Sequence, residues 1–382
     1  MHILEIPSFF TPYGGEFCLE QAKALKALGH EVRILSHVQL GITIGLKDFF
    51  LLPYRRYEHQ REGITICQSF QRGVPRMIHY NMRRWVSVVE SMFADYVSCY
   101  GTPDIIHAHC AKWAGYAAMK ISQTYHIPYV ITEHLPKMIL SEEFGEDSDK
   151  AWQVPLLRAA YEAADMVVPV SEELVEDVSC YFGTRYRWQF ISNTIDTDFF
   201  HYQPRSSCEG RTFRFCCVAD NSYRKGYDVL IPAFRMLKEQ GYDAELRIAG
   251  RKTDTTDFRS HLSKGMTSLG QLNKEQIRDL LYESDALVLA SRSEVQPLVL
   301  LEAMSTGIPV ISTSCIPQNL RIEGGCTIVP IDDVEALSAA MKQVMEKPFN
   351  DGLKLSEQVK AIASPKVVGE KLEMLFRNIL SA

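Results

Sequence analysis

Long apolar runs are missing from this sequence. No stretch reaches the roughly 20 residues that a helix needs to cross a bilayer. The first residues, Met1-His2-Ile3-Leu4, begin a strand pattern at once, without the basic segment and apolar core of a secretory signal. We therefore expect a cytoplasmic protein without a membrane span.

An excess of positive charge is also absent. The 382 residues include 41 Lys and Arg against 47 Asp and Glu, a formal net charge of −6, whereas general nucleic-acid binding needs a basic surface. The ten cysteines are scattered and form no C-x-x-C pair, which favours buried free thiols in a reducing compartment. At this length two domains are expected, with no nucleic acid as partner.

The glycine pattern G-x-G-x-x-G of dinucleotide-dependent dehydrogenases is missing too. The chain nevertheless opens with a strand–loop–helix–strand pattern, since Ile3 to Ile6 and Val32 to Leu35 read as strands around a helix. The loop at residues 12–16 reads Pro-Tyr-Gly-Gly-Glu. Gly14 and Gly15 would let backbone N–H groups approach a phosphate closely, and a plain tight turn is the alternative.

The stretch from 286 to 314 carries the most chemical information. Ala286 to Ala290 is typical of a strand buried on both faces, and Leu298 to Met304 is apolar except for Glu302, which is typical of a buried helix. A buried carboxylate needs hydrogen-bond partners. Glu294 lies just ahead of the helix, where unpaired N–H groups favour anions. Two such carboxylates suit the hydroxyls of a nucleotide sugar, although Glu302 could instead have a purely structural partner.

Glu294 and Glu302 have the spacing E-x7-E and are followed by Ala-Met and Gly-Ile-Pro-Val. The segment resembles the donor-binding signature of the retaining GT-B glycosyltransferases of family 4, also called group 1 glycosyl transferases. The resemblance implies that Glu294 contacts the donor sugar and Glu302 the ribose, with Gln296 and Leu298 also binding the donor. The family usually has Gly-Phe-Gly after the first Glu. Pro297 has no N–H to offer, which allows an unusual donor preference.

A Lys-Gly step at Lys225 also matches this family. A Lys at the mouth of a strand can neutralise a diphosphate, and the resemblance implies that Lys225 holds the leaving phosphates. The family's frequent Arg near this point falls on Asp220, so we expect Arg224 to substitute for it in donor binding. Gly14 and Gly15 resemble the family's donor-phosphate loop.

Two predicted strands end in histidines, with His107 and His109 on the first and His134 after the second. Ligands of open α/β sheets bind beyond the carboxyl ends of the strands. The resemblance implies that His134 touches the donor sugar near the reaction centre, which places it with Lys225 and Glu294 as a catalytic residue. His109 is expected on the acceptor side, and His107 in the core or behind the site.

Asp196-Thr197-Asp198 has the D-x-D spacing of metal sites in the other major glycosyltransferase fold. The surrounding segment resembles instead the Asn-Gly-Val-Asp turn of family 4, and Asx residues favour such turns. Other clusters lack plausible metal-ligand spacing. We therefore expect no metal and no bound cofactor, with a nucleotide diphosphate sugar as co-substrate.

Residues 46–85 are rich in basic and aromatic side chains. Eight Lys and Arg face only three acidic residues, and Phe, Tyr and Trp are interleaved with them. Such a composition suits an anionic membrane surface or a lipid-linked pyrophosphate acceptor. The alternative is an ordinary inserted region whose arginines extend over the first domain.

Alternating strands and helices continue between the motifs. Met166 to Val170 reads as a strand followed by Ser171 as an N-cap, and Trp188 to Ser192 as another strand. The polar residues 201–211 read as a linker. Helices are expected over residues 226–240, 273–281, 332–346 and 366–380.

The resemblance covers nearly the whole chain and implies an α/β GT-B fold. Its parts would be an N-terminal Rossmann-like acceptor domain over 1–203, a C-terminal donor domain over 204–364, a cleft between them, and a helix over 365–382 that packs back on the first domain. The implied activity is retaining, metal-independent transfer of a sugar to a glycan or lipid-linked acceptor, in surface-polysaccharide or glycolipid assembly at the inner face of the membrane. The alternatives are a nucleotide-sugar 2-epimerase of the same architecture and a non-catalytic nucleotide-sugar-binding protein.

Overall fold

The computed structural model of the chain describes residues 1–10, 14–41, 46–52, 55–145, 151–205, 210–347 and 349–382. They form two compact units, one of Met1–Thr194 with Pro365–Ala382 and the other of Ile195–Ser364. The division lies before the predicted domain boundary at 203. Parts of three predicted segments lie outside the described residues. They are positions 12 and 13 of the phosphate loop, 53 and 54 of the basic and aromatic region, and 206–209 of the linker.

The first unit is built on one sheet. Its strands are β1 His2–Pro7, β2 Glu31–Leu40, β3 Arg56–Arg61, β4 Ile64–Arg72, β5 Ile105–His109, β6 Tyr129–Glu133 and β7 Met166–Pro169. Their order is β3-β4-β2-β1-β5-β6-β7, and all neighbours are parallel except β3 and β4. Apart from the hairpin strand β3, this is a doubly wound order whose direction reverses between β1 and β5.

Helices surround this sheet. They are α1 Glu16–Ala27, α2 Leu46–Leu51, α3 Ile78–Tyr100, α4 Tyr116–Tyr125, α5 Lys137–Phe144, α6 Val154–Ala163, α7 Glu173–Asp177 and α8 Ser179–Phe182. Helix α1 begins after Gly15, which has a φ of +82°. A Cβ at this position would lie 2.3 Å from the carbonyl oxygen of Phe9, so only glycine fits there.

The second unit has a wholly parallel sheet among its described strands. These are β8 Phe213–Val218, β9 Ala244–Ala249, β10 Met266–Gly270, β11 Ala286–Leu289, β12 Val310–Thr313 and β13 Cys326–Val329. The order β10-β9-β8-β11-β12-β13 again reverses direction once, between β8 and β11. Its helices are α9 Tyr227–Glu239, α10 Thr256–Ser260, α11 Lys274–Glu283, α12 Leu298–Ser305, α13 Val334–Glu346 and α14 Gly352–Ala363.

The main sequence patterns of the second unit are confirmed. All four residues of β11 are buried, and so is most of α12, as their apolar runs predict. Asn273 is the N-cap of helix α11, and its side chain accepts the N–H of Gln276 in a capping box. Asp333 is the N-cap of α13, and its side chain accepts the N–H of Ala336. Helix α14 is an element that the sequence analysis did not predict.

The last helix, α15 Pro365–Leu380, belongs to the first unit, where the predicted helix over 366–380 was expected to pack. Its apolar face joins the core of that unit through Val368, Leu372, Leu375 and Phe376. Gly369 lies against α1, because a Cβ there would come within 3.2 Å of the carbonyl oxygen of Ala24. The small residue therefore allows the close approach of the two helices.

Two local predictions were wrong. Ser171 does not cap α7, because that helix begins at Glu173 without any side-chain cap. Trp188 to Ser192 is not a strand, because this segment makes a single isolated bridge, from Trp188 to Val167. A strand needs a ladder of backbone partners, and its side-chain pattern alone does not supply one.

Much of the 46–85 region is part of the sheet and its covering layer. Strands β3 and β4 extend the sheet from β2, and the buried Trp85 on α3 donates its indole N–H to the carbonyl of His37 at 2.7 Å. Arg72 donates to the carbonyls of Phe49 and Phe50 at 2.9 and 2.7 Å. These contacts favour a structural role for most of the region.

Among the described residues, no helix is both long enough and apolar enough to cross a membrane.

Candidate functional site

Two loops meet where the sheet of the second unit reverses direction. The loop after β8 carries Arg224 and Lys225 in a short 3-10 turn, and the loop after β11 carries Glu294. The N–H of Arg292 donates to the carbonyl of Arg224 at 2.8 Å and joins the two loops. This is the edge of a doubly wound sheet at which ligands bind.

Glu294 is the centre of this cluster. Its Oε1 accepts hydrogen bonds from Lys225 Nζ at 2.6 Å and from Ser291 Oγ at 2.7 Å, and its Oε2 accepts one from Arg224 Nη1 at 3.0 Å. Only 6% of its side chain is exposed. Burial acts to raise the pKa of Glu294, but the charges of Lys225 and Arg224 outweigh it and lower the pKa. The carboxylate is therefore ionised and held between two cations.

The glycine after Lys225 is required by the approach of these loops. Gly226 has a φ of +65°, and a Cβ there would lie 1.9 Å from the carbonyl oxygen of Ala290. Gly226 is also the N-cap of α9. The Lys-Gly step thus lets the cation-bearing turn lie directly on the end of β11.

The remaining predicted donor residues follow along α12. Pro297 is its N-cap, Leu298 is its first residue, and Gln296 is buried just ahead of it. Glu302 is half-buried, so it is not the fully buried charge that its apolar neighbours predict. Glu302 shares the half-buried side of α12 with Leu298 and Val299, whereas Leu301 and Ala303 belong to the core.

Asp220 stands where the family has an Arg, and the structure gives it a partner. Its Oδ1 accepts the backbone N–H of Arg251 at 2.9 Å, and its Oδ2 accepts the Nε–H of the same residue at 2.8 Å. Burial acts to raise the pKa of Asp220, but these bonds lower it overall. The sequence analysis missed Arg251, because its pairing depends on the β8–β9 neighbourhood.

The first unit places its histidines at its own reversal point, between β1 and β5. Glu5 Oε2 lies 2.7 Å from His109 Nε2 and 2.9 Å from His107 Nδ1. His109 Nδ1 lies 3.2 Å from His134 Nε2, and His107 Nε2 lies 2.6 Å from Thr132 Oγ1. Glu5, His107 and His109 are fully buried. His107 is thus a core residue, as expected, and the sequence analysis missed Glu5.

Burial sets the charges of this network. It lowers the pKa of His109 to about 4, with repulsion from His107 acting in the same direction and Glu5 opposing both. Burial and then His109 hold the pKa of His134 well below its usual range. Burial acts to raise the pKa of Glu5, but His107 and His109 lower it to about 2. At neutral pH the carboxylate of Glu5 is therefore ionised, and the imidazoles of His109 and His134 are neutral.

Two contacts fix the position of His134. Phe17, in the first turn of α1, stacks on its ring with 3.7 Å between the centroids. The buried carboxylate of Glu133 accepts N–H groups from Ala111, His134 and Leu135 at 3.0, 2.9 and 3.0 Å and the hydroxyl of Tyr161 at 2.9 Å. Through α1, the loop of Gly14 and Gly15 approaches the same edge of the sheet as His134.

Two groups of side chains have the composition of metal ligands. Glu5, His107 and His109 offer three ligand-type atoms within 4.8 Å of one another, but both nitrogens face the carboxylate at hydrogen-bond or ion-pair distance, so we interpret the group as a bonded network. Asp196 accepts the N–H of Phe199 at 3.0 Å, which is the turn that the sequence predicts.

Comparison with known proteins agrees with this architecture. Residues 14–199 match the family model Glycosyltransferase Family 4, and residues 212–347 match the model Glycosyl transferases group 1. Over 320 residues the chain is 27% identical to the putative teichuronic acid biosynthesis glycosyltransferase TuaC of Bacillus subtilis (strain 168), covering 80% of this chain and 78% of that protein.

Solved structures share the fold across the whole chain. Sucrose-phosphate synthase from Thermosynechococcus elongatus superposes with a TM-score of 0.78 at 17% identity over 100% of both chains. Anabaena HepE in complex with UDP-glucose superposes with a TM-score of 0.73 at 16% identity over 99% of this chain and 100% of that one.

Two doubly wound sheets, parallel apart from the hairpin strand β3, give the chain the GT-B fold that these solved structures share. The chain belongs to the group 1 glycosyl transferases, with the N-terminal part matching family 4.

Proposed function

We propose that the protein transfers a sugar from a nucleotide diphosphate sugar to a hydroxyl of a glycan or lipid-linked acceptor, with retention of anomeric configuration and without a metal ion. The observation that carries this proposal is the cluster of Lys225, Arg224 and Glu294 at the reversal point of the second sheet. Two cations there face one carboxylate, which leaves positive charge for a diphosphate.

Lys225 is the group proposed to stabilise the departing diphosphate. Its ammonium is held by Glu294 at 2.6 Å, and only 15% of its side chain is exposed. A fixed charge in a site with little water stabilises developing negative charge more strongly than a mobile one. Arg224 lies beside it and takes the place of the Arg that the family has at Asp220.

Glu294 is proposed to contact the transferred sugar and Glu302 the ribose, with Gln296 and Leu298 lining the donor site. The loop of Gly14 and Gly15 would offer N–H groups to the phosphates. In the first unit, His134 would touch the sugar and His109 would lie on the acceptor side. The side chains of Glu294 and His109 are buried and held by neighbouring groups. This favours binding in a fixed geometry.

The proposed step is attack on the face of the sugar from which the diphosphate leaves. The acceptor oxygen forms a bond to the anomeric carbon, the bond from that carbon to the phosphate oxygen breaks, and the acceptor proton moves to the phosphate oxygen. No enzymic nucleophile takes part. Positive charge for the leaving group comes from Lys225 and Arg224, which is why we propose a reaction independent of metal.

Surface-polysaccharide assembly is the proposed setting, since the relative TuaC is named for teichuronic acid biosynthesis. A peripheral contact with the membrane is proposed for α2, where the side chains of Phe50 and Leu51 are 52% and 53% exposed. The adjacent Arg72, whose guanidinium lies 4.9 Å from the Phe50 ring centroid, would add attraction to anionic lipids.

The test is a panel of UDP-, GDP- and ADP-sugars, each with and without a glycan acceptor and with and without EDTA, followed by proton NMR of the anomeric centre. We expect one donor to give a product of unchanged configuration in the presence of EDTA. Inversion, or a requirement for a divalent cation, would contradict the mechanism. Isomerised sugar formed from donor alone would indicate a 2-epimerase, and donor binding without transfer or hydrolysis would indicate a binding protein.

A further inference from the structure

A line of three polar side chains in the first unit connects the buried core to the proposed sugar contact. Glu5 on β1 lies beside His109 on the neighbouring strand β5, and His109 lies beside His134 at the end of β6. The two contacts are 2.7 Å, from Glu5 Oε2 to His109 Nε2, and 3.2 Å, from His109 Nδ1 to His134 Nε2. The proposed transfer assigns no role to Glu5.

The hydrogens of this line can be assigned from its chemistry. An ionised carboxylate only accepts, so the ring nitrogen of His109 that faces Glu5 must carry its hydrogen. A neutral imidazole has a single N–H, which leaves Nδ1 of His109 as an acceptor. His134 must then donate from Nε2 to that acceptor, and the lone pair of His134 resides on Nδ1.

The neutral state that this assignment needs has a physical cause. Burial lowers the pKa of His109 to about 4 and that of His134 in the same direction, so neither ring is charged at neutral pH. His107 approaches the same oxygen of Glu5 and steadies the carboxylate. His107 and His109 thus both face Oε2 of Glu5, whereas Oε1 makes no hydrogen bond within the described part of the chain.

We propose that Glu5 is a positioning residue that acts through His109 to fix the tautomer of His134, whose buried Nδ1 then carries the lone pair and would accept a hydrogen bond from a hydroxyl of the transferred sugar. The tautomer is proposed from the contacts and from the burial of the two rings, whereas its use in transfer rests on the proposed function. The stacked ring of Phe17 and the loop bonds to Glu133 hold the imidazole in place, so the tautomer decides which nitrogen can accept.

The experiment is nitrogen-15 NMR of the histidine rings in the full chain at pH 7.5, which separates the two neutral tautomers and the charged form. We expect His109 and His134 both to carry hydrogen on Nε2 in the wild type. In Glu5→Gln the side-chain amide can donate to Nε2 of His109, so hydrogen moves to Nδ1 there and, by the same chain of bonds, to Nδ1 of His134. Assignments come from single histidine variants.

His37→Gln is the matched control. His37 is another buried histidine of the first unit, with contacts of 2.6 Å to Ser69 and 3.2 Å to Gln71, and it does not contact this line. We expect that variant to leave the His134 tautomer unchanged. Because the wild-type spectrum by itself decides the assignment, the proposal stays testable even if Glu5→Gln folds poorly.

Several results would overturn the proposal. They are an Nδ1–H tautomer or a charged ring for His134 in the wild type, an unchanged His134 tautomer in a folded Glu5→Gln variant, and one equivalent of bound zinc that this variant loses. For activity, we expect kcat of Glu5→Gln to fall roughly 10-fold, the scale of one lost hydrogen bond, with little change in KM. A switched tautomer with unchanged kcat would support the positioning by Glu5 and count against the proposed role of His134 in transfer.

Discussion

At the scale of single residues, the cations of the second unit keep their charge, whereas His109 and His134 of the first unit are neutral. Lys225 and Arg224 share one carboxylate, Glu294, and this leaves positive charge at the end of the sheet. His109 and His134 have lost their charge through burial. A diphosphate suits the first arrangement, whereas neutral hydroxyls suit the second.

Lys225→Ala and Glu302→Gln should each reduce turnover strongly while the protein stays folded. Loss of one group that stabilises the leaving charge costs roughly 10²- to 10³-fold in kcat, and loss of the ribose contact should also lower turnover, because a misplaced donor reacts roughly 10²-fold more slowly. The measurement is steady-state kinetics with the donor found in the panel.

The exposed residues Lys264 and Glu335 in the same unit provide matched controls. Lys264→Ala and Glu335→Gln should retain wild-type kinetics. Wild-type turnover in both of the site variants would remove the assignment of the donor site.

The free energy of unfolding of the first unit should fall as the pH is lowered from about 6.5 to 4.5. Burial lowers the folded-state pKa of both His37 and His109 to about 4, below the value of about 6.5 in an unfolded chain. Between these values the unfolded state binds more protons, so acid favours unfolding, by up to about 1.4 kcal/mol per pH unit for each group.

Urea unfolding followed by tryptophan fluorescence measures this dependence, because all four tryptophans lie in the first unit. His37→Gln removes one of the two groups and should make the slope shallower. A free energy that stays constant over the window would contradict the burial of these histidines.

At the scale of elements, both sheets bring their polar groups to one edge because both reverse direction once. The backbones approach closely at the β8–β11 junction, since a Cβ on Gly226 would lie 1.9 Å from the carbonyl oxygen of Ala290. The backbone at Ala290 is packed in the interior and cannot move away from such a Cβ without shifting β11 itself.

Gly226→Ala should therefore destabilise the second unit and abolish turnover. Gly241→Ala is the matched control, because its φ of +89° is also left-handed but an added Cβ meets nothing within 4 Å. We expect the control to lose about 1 kcal/mol from backbone strain alone, and Gly226→Ala to lose clearly more. Hydrogen exchange of the second unit measures both. Equal losses in the two variants would show that the clash is absent.

At the scale of the whole molecule, the two units should respond differently to the donor. Ligand at 100 times its dissociation constant stabilises the folded state by about 2.7 kcal/mol. We expect the nucleotide sugar to slow hydrogen exchange most in residues 222–230 and 291–300 of the second unit. Lys225→Ala should remove this protection at the same ligand concentration. Protection confined to the first unit would contradict the donor assignment.

The sequence by itself determined the features that lie close together along the chain. Alternating apolar runs and helical spacing fixed most strands and helices, and E-x7-E and Lys-Gly fixed the family resemblance, because each pattern spans only a few turns of backbone. The capping of α11 by Asn273 also lay within one such window.

Only the tertiary structure decided which of these segments meet. The cationic partners of Glu294 lie 69 and 70 residues away, and Glu5 lies 104 residues from His109. The pairing of Asp220 with Arg251 and the failure of residues 188–192 to form a strand depend on strand order in the same way. Side-chain periodicity specifies which face of a strand is buried, whereas the neighbour of that strand follows from the order of the whole sheet.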